Sequence, residues 1–182
     1  YYRKILKIED HFLIYYAGHG EYDKTANKAY WLPVDAKRDS DTNWIIVDTV
    51  TSNIKRMPSN HVLVVSDSCY SGTFTRRAVT DLETTEKRNR YLQKMQSKKS
   101  RTLLASGGNE PVSDIGGQGH SVFAKAFLFG LKSMEKKEFT AEELYFSHLK
   151  EMVAGNSEQT PEYNIIRNSG HEGGDFVFFK IK

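Results

Sequence analysis

Two short polar segments of the chain contain residue types that could perform nucleophilic catalysis. The segment YYAGHG, at positions 15–20, contains His19, and the segment DSCYSG, at positions 67–72, contains Cys69. An imidazole close to a thiol stabilises the thiolate or takes its proton, which activates the sulfur as a nucleophile. Cys69 is the only cysteine, so it forms no disulfide within the chain, and catalysis or simple burial are the remaining reasons for its presence. We favour catalysis.

Each segment lies at the end of a short apolar run that is typical of a central parallel strand covered on both faces. The runs are Phe12–Tyr16 and Val62–Val65, both rich in β-branched or aromatic residues. Ligands of open α/β sheets bind beyond the carboxyl ends of the strands, so we expect His19 and Cys69 at one edge of the same sheet. Either residue alone could be structural, His19 in a turn and Cys69 as a small buried side chain. Their occurrence in matched positions favours a catalytic pair.

These segments resemble the catalytic loops of the caspase-like cysteine peptidases, in particular their bacterial and metacaspase-type branch. That branch carries [Ser/Ala]-Gly-His-Gly and Asp-Ser-Cys-x-Ser-Gly, which AGHG at 17–20 and DSCYSG at 67–72 match. His19 precedes Cys69 by 50 residues, which is also the spacing of the caspase histidine. The resemblance continues through YWLPVD at 30–35, LASG at 104–107, HSVF at 120–123 and GHEGGDF at 170–176.

The resemblance implies a cysteine endopeptidase in which His19 activates Cys69, and in which backbone N–H groups of Gly20 and Cys69 form the oxyanion hole. It also implies an α/β fold, the caspase-like three-layer sandwich with a mostly parallel central sheet. That fold normally opens with a strand and a helix before the histidine strand, and only residues 1–10 precede the strand here. We therefore expect residues 1–182 to be one N-terminally incomplete peptidase domain, controlled by an attached regulatory domain or subunit.

Asp67 predicts the substrate preference. It lies two residues before Cys69, so both side chains point to the same side of an extended strand. Caspases that cleave after aspartate have glutamine there. A carboxylate instead attracts Arg or Lys at P1, the substrate residue before the cleaved bond, as in the metacaspase-type branch. The alternative is an aspartate that caps the following helix or turn. Glu110 and Asp114 are candidates for a second acidic wall of this pocket.

A basic stretch after the cysteine segment is the candidate for self-cleavage. Caspase relatives carry their maturation linker at this place, and an enzyme that cleaves after Arg or Lys would recognise such residues. The alternative is a solvated helical face with flanking loops. The candidate residues are Arg76, Arg77, Arg88, Arg90, Lys98, Lys99 and Arg101.

Several metacaspases need calcium, and a group of acidic residues raises that alternative here. Asp35, Asp39 and Asp41 lack the glycine and the terminal glutamate of an EF-hand loop. Asp48 is followed by Thr49, where calcium-dependent relatives have paired aspartates. We expect a solvated acidic turn and no cofactor. The other histidines share no metal-ligand spacing and are expected to be structural: His11, His61, His120, His148 and His171.

The composition limits the remaining classes of function. A chain of 182 residues with 38% hydrophobic residues is long enough for one domain with a core. No apolar run approaches the roughly 20 residues of a membrane span. A net charge of +3 is too small to indicate nucleic-acid binding. A single cysteine fits a reducing compartment, so we expect a cytoplasmic protein whose partners are protein or peptide substrates.

Two alternative functions stay open. One is a catalytically silent caspase-like scaffold that binds a partner, and the other is a related Cys/His hydrolase, such as a CHAT-type peptidase, that acts on one dedicated protein. Bacterial relatives serve in stress or antiviral defence, and a role in bacterial defence is the corresponding expectation.

The patterning predicts alternating strands and helices, which is typical of a parallel sheet between helical layers. The predicted strands are Phe12–Tyr16, Tyr30–Val34, Val62–Val65, Thr102–Ala105 and Phe176–Phe179. The predicted helices are Thr49–Arg56 with Asp48 as its N-cap, Leu82–Gln96, Val122–Ser133, and Ala141–Val153 opened by a Thr140/Glu143 capping box.

Overall fold

A computed structural model describes residues 1–37, 39–68, 85–107 and 119–181. Within these residues, the strands are β1 (His11–Ala17), β2 (His19–Asp23), β3 (Lys28–Leu32), β4 (Ile45–Ile46), β5 (His61–Asp67), β6 (Ser100–Ala105), β7 (Glu138–Thr140), β8 (Glu162–Ile165) and β9 (Val177–Phe179). The helices are α1 (Tyr2–Ile5), α2 (Val47–Lys55), α3 (Thr85–Gln96), α4 (Val122–Ser133), α5 (Ala141–Leu144) and α6 (Lys150–Asn156), with a π-helical turn at Tyr145–Leu149.

The main sheet has the strand order β1-β5-β6-β8. β1, β5 and β6 are parallel, and β8 pairs antiparallel with β6. Every residue of β5 and β6 is buried. The sheet is therefore mostly parallel, as the sequence predicts, and the carboxyl ends of β1 and β5 lie side by side.

Helices pack on both faces of this sheet, which gives three layers. Leu63 and Val65 of β5 pack on one face in a cluster that contains Phe123 of α4. Val62 and Val64 point to the opposite face, where their cluster includes residues of α2. Successive residues of a strand point to opposite sides, so a strand that is apolar at every position needs cover on both faces.

β1 departs from the prediction that it is covered on both faces. Phe12 and Ile14 pack against the α2 side of the core. Leu13 and Tyr15, on the other face, are 37% and 41% exposed. β1 is the outer strand of the described sheet, and the helices of that face cover β5 and β6 instead.

The histidine segment is a second difference, because His19 begins a strand that the polar sequence HGEYD did not predict. β2 pairs antiparallel with β3, and β3 pairs with β4 in a separate small sheet. Gly18 is a bend between β1 and β2. The predicted strand Tyr30–Val34 is shifted, since β3 ends at Leu32, immediately before the proline.

Most helix predictions are confirmed, with local corrections. α4 has the predicted bounds, and the capping box of Thr140 and Glu143 opens α5. Asp48 is not an N-cap, since α2 begins at Val47 and Asp48 lies in its first turn. The predicted helix 141–153 extends to Asn156 and contains the π-helical turn. Residues 82–84 of the predicted helix 82–96 lie outside the described residues.

Candidate active site

The histidine segment and the strand that leads to Cys69 are direct neighbours. In the register of β1 and β5, Ala17 pairs with Asp67. The N–H of Gly18 then donates to the carbonyl oxygen of Asp67 at 3.2 Å. His19 follows that contact by one residue. Cys69 itself lies outside the described residues, and β5 is described up to Asp67, followed by Ser68.

Tyr16 fixes the backbone on which His19 stands. Its hydroxyl oxygen lies 2.7 Å from the carbonyl oxygen of His19 and 3.1 Å from that of Leu32. Its ring stacks on Trp31 at a centroid distance of 4.4 Å and an angle of 9°. The His19 residue remains exposed. The backbone is thus held while the imidazole is accessible to a substrate.

Gly18 is required by the packing of this segment. A Cβ atom at position 18 would lie 2.8 Å from the hydroxyl oxygen of Tyr16. Real Cβ contacts are essentially never that short. Because Tyr16 is held by a stacked ring and by two carbonyl contacts, it cannot move aside without releasing His19.

Asp67 lies at the end of β5 and is only 5% exposed. Its Oδ2 accepts a short hydrogen bond from the Ser121 hydroxyl and a longer one, of 3.5 Å, from Tyr15. Ser121 is the N-cap of α4, and its Oγ also accepts from the N–H of Ala124 at 2.8 Å. Burial and the negative charge of Asp67 raise the pKa of the Tyr15 phenol to about 12. The aspartate that precedes Cys69 by two residues in the chain is thus bound by hydroxyls of β1 and of the α4 N-cap.

A group of polar contacts around Ser66 and Ser68, at the carboxyl end of β5, was not predicted from the sequence. The Ser106 hydroxyl donates to the carbonyl oxygen of Ser68 at 3.4 Å, and the Ser106 N–H donates to that of Ser66 at 2.9 Å. Gln159 Nε2 in turn donates to the Ser106 carbonyl oxygen at 3.3 Å. Ser106 belongs to the LASG segment, but no sequence signal pointed to Gln159.

The structure supports neither the second acidic wall of the pocket nor a calcium site within the described residues. Glu110 and Asp114 lie outside the described residues. The Asp35 carboxylate accepts a hydrogen bond of 3.1 Å from Asn43. Over residues 1–37, 39–68, 85–107 and 119–181, no three His, Cys, Asp or Glu side chains are grouped to hold a metal ion. The absence of a cofactor stays a prediction.

His11 and His61 are the first residues of β1 and β5, at the end of the sheet opposite to His19. The rings of His11 and His61 stack at 4.5 Å. The nitrogens of His61 lie 3.0 and 2.9 Å from the carbonyl oxygens of Asp175 and Gln96. His171 accepts a hydrogen bond from the Arg101 N–H at 3.1 Å. These contacts agree with the structural roles expected for the three histidines.

The candidate self-cleavage residues differ in their accessibility. Arg90 and Lys98 are exposed, whereas the Arg88 side chain is 17% exposed and pairs with Glu143 at 2.6 Å. Arg101 is a correction, because it is fully buried inside β6 and its guanidinium donates to four backbone carbonyl groups. The folded domain does not present the bond after Arg101. Lys99 is partly exposed, and Arg76 and Arg77 lie outside the described residues.

The described part of the chain contains no helix with the length and apolarity needed to cross a membrane.

Comparisons with known proteins agree with this architecture. A family model described as the caspase domain matches residues 5–169. A crystal structure of a Geobacter sulfurreducens protein, determined as a structural-genomics target, superposes with a TM-score of 0.54 at 20% sequence identity. That match covers 93% of this chain and 72% of the other, and at this identity it shows the fold alone. No curated protein matches the chain.

Proposed function

Because this chain belongs to the caspase-domain family of cysteine peptidases, we propose that it is an endopeptidase that uses His19 and Cys69 to cleave after arginine or lysine. The observation that carries the proposal is the junction of β1 and β5. The hydrogen bond from Gly18 to Asp67 puts the histidine segment directly beside the strand that continues into the cysteine segment.

In the proposed reaction, His19 takes the proton of the Cys69 thiol, and the sulfur attacks the carbonyl carbon of the scissile peptide bond. N–H groups of Gly20 and Cys69 stabilise the oxyanion of the tetrahedral intermediate. The protonated imidazole then gives its proton to the leaving amine, and an acyl-enzyme forms. Water, deprotonated by His19, hydrolyses the thioester and regenerates the thiol.

The preference for a basic P1 residue is supported by the surroundings of Asp67. Its carboxylate is nearly buried, and an attraction between charges is stronger where water is excluded. A guanidinium or ammonium group that reaches this carboxylate would form a charge-assisted hydrogen bond. Glu110 and Asp114 remain candidates for additional acidic contacts.

We further propose that the enzyme processes itself between the cysteine segment and β6, and that an attached domain or subunit regulates it. The accessible candidates are Arg90 and Lys98, both exposed. Arg90 lies within α3, and Lys98 follows its last residue by two positions. A cytoplasmic location and a role in bacterial defence remain expectations.

An affinity label tests the proposed function. A peptidyl chloromethyl ketone with P1 arginine is expected to alkylate Cys69 stoichiometrically, as measured by intact-protein and peptide mass spectrometry. The matched reagent with P1 aspartate should label far more slowly, and the Cys69→Ala variant should remain unlabelled with both. An unlabelled wild-type protein would instead favour a catalytically silent scaffold.

A further inference from the structure

We propose that Ser121 is a positioning residue for substrate specificity, because its hydroxyl group orients the Asp67 carboxylate that receives the basic P1 side chain. This inference rests on the proposed function, since it assigns a role in the same pocket. Ser121 is 54 residues from Asp67 in the sequence, and its hydroxyl oxygen contacts Oδ2 of that carboxylate.

The hydrogen-bonding capacity of the Ser121 hydroxyl fixes the direction of this contact. A hydroxyl has one proton to donate and two lone pairs to accept with. Ser121 Oγ accepts from the Ala124 N–H at 2.8 Å, and its proton is directed to the Asp67 carboxylate. One serine thus caps α4 and binds the pocket aspartate.

α4 is a rigid support for this contact. Its first turns bury Val122, Phe123, Ala126 and Phe127 in the core between the helix and the sheet. The helix N-terminus carries partial positive charge from its peptide dipoles, which also favours a carboxylate at this end. Ser121 is therefore held by the hydrophobic core, and Asp67 is held by Ser121.

Tyr15 is a weaker second donor to the same oxygen. Its hydroxyl lies 3.5 Å from Asp67 Oδ2, near the outer limit of a hydrogen bond. Its ring contacts Phe127 of α4 at a centroid distance of 6.1 Å. Two hydroxyls from separate elements thus bind one carboxylate oxygen, which restricts rotation of the carboxylate. A preorganised carboxylate loses less conformational freedom when a substrate binds.

The prediction is that loss of the Ser121 hydroxyl reduces discrimination between a charged and a neutral P1 side chain. Citrulline has nearly the shape of arginine without its charge, so a matched pair of peptides isolates the charge contribution. Ser121→Gly removes the hydroxyl at little cost to the N-cap, whereas Ser121→Thr keeps both functions. We expect the ratio of kcat/KM for the two peptides to fall about tenfold in Ser121→Gly, the scale of a hydrogen bond to a charged group. Ser121→Thr should retain the wild-type ratio.

Binding measured without turnover gives an independent readout. In the Cys69→Ala background, fluorescence polarisation with the same labelled peptides should show the same loss of arginine preference in Ser121→Gly. If the glycine variant does not fold, Ser121→Cys carries the test, because its thiol takes the place of the hydroxyl but is a much weaker hydrogen-bond donor. Thermal unfolding verifies the fold of each variant.

Distinct results would overturn the inference and the proposed function. An unchanged arginine-to-citrulline ratio in Ser121→Gly, with a lowered ratio in Asp67→Asn, overturns the role of Ser121 alone. Equal losses for both peptides also overturn it, since they indicate only a helix cap. A wild-type protein that hydrolyses neither peptide overturns the proposed function, and binding in the Cys69→Ala background then decides whether Ser121 orients Asp67.

Discussion

The backbone N–H of Gly18 donates a hydrogen bond to the carbonyl oxygen of Asp67 at 3.2 Å. This contact continues the parallel pairing of β1 and β5 beyond the pair of Ala17 and Asp67. The segments that contain His19 and Cys69 are therefore joined through main-chain atoms. The position of the histidine segment beside the end of β5 therefore follows from the sheet ladder.

The catalytic pair is tested by single alanine variants. Cys69→Ala is expected to abolish hydrolysis, and His19→Ala to lower kcat by about a thousandfold or more, since the thiol then lacks its base. His19 is exposed, so its replacement should change the free energy of unfolding by less than about 0.5 kcal/mol. His148→Ala, in the π-helical turn, is the control and should retain activity. Hydrolysis by Cys69→Ala at the wild-type rate would refute the pair.

Gly18→Ala should damage the site through Tyr16. The added methyl group would lie 2.8 Å from the Tyr16 hydroxyl oxygen, which contacts the His19 carbonyl. We expect kcat/KM to fall at least tenfold and stability to fall by about 1 to 3 kcal/mol, as for other overpacked sites. Gly155→Ala is the matched control, because a Cβ there meets no atom within 4 Å and alanine favours the helix. Steady-state kinetics and urea unfolding measure both variants.

Asp67→Asn keeps the shape of the pocket residue and removes its charge. Cleavage after arginine should lose about 1 to 3 kcal/mol of transition-state stabilisation, the scale of a hydrogen bond to a charged group. Cleavage after citrulline should change much less. A library of peptides that differ at P1 measures both effects. A wild-type preference for aspartate over arginine at P1 would contradict the assignment.

Asp175 predicts a pH dependence of stability that is separate from catalysis. Burial and the nearby Glu142 raise the pKa of this carboxyl group from 3.8 to about 7, against hydrogen bonds from Tyr163 and the Phe176 N–H. Because the pKa is raised in the folded state, the stability that protonated Asp175 contributes is fully present below about pH 4. This contribution is lost as the pH rises to about 7. The loss from this group is on the order of 4 kcal/mol.

Urea unfolding between pH 4 and pH 8 measures this dependence. The comparison of wild type with Asp175→Asn isolates the contribution of one carboxyl group from all others. We expect the difference in free energy of unfolding between the two proteins to change with pH up to 7 and to be constant above it. A constant difference over the whole range would show that Asp175 does not titrate there.

Self-processing should depend on how firmly α3 is docked. Arg88 joins α3 to Glu143 of the α5 capping box through a largely buried ion pair. Arg88→Gln is expected to loosen α3 and to accelerate cleavage severalfold. Glu86→Gln breaks only the exposed pair with Arg90 and should leave the rate unchanged.

Mass spectrometry of the fragments identifies the cleaved bond. Junctions are expected after accessible basic residues such as Arg90 or Lys98, and Cys69→Ala should stay intact. Cleavage after Arg101 in the folded protein would conflict with its burial in β6. A fully active wild-type chain that remains uncut would show that activation takes another route, such as release of an inhibitory domain.

Local sequence patterns determined the elements whose formation depends on near neighbours. The apolar run of β5 and the bounds of α4 were both predictable. The capping box of Thr140 and Glu143 was also readable, since its two residues lie three positions apart and satisfy each other's backbone groups. The same patterns predicted that the histidine and cysteine segments follow strands of one sheet.

The tertiary structure decided which of these residues meet. β1 and β5 are both apolar on their two faces, so the sequence alone predicts that both are buried. β1 lies at the edge of the described sheet, and this position leaves Leu13 and Tyr15 partly exposed. The contact of Ser121 with Asp67 joins residues 54 positions apart, and that of Gln159 with Ser106 joins residues 53 apart. Such contacts depend on strand order and on where helices dock, because hydrophobic burial selects the packing as a whole while local propensities act over only a few residues.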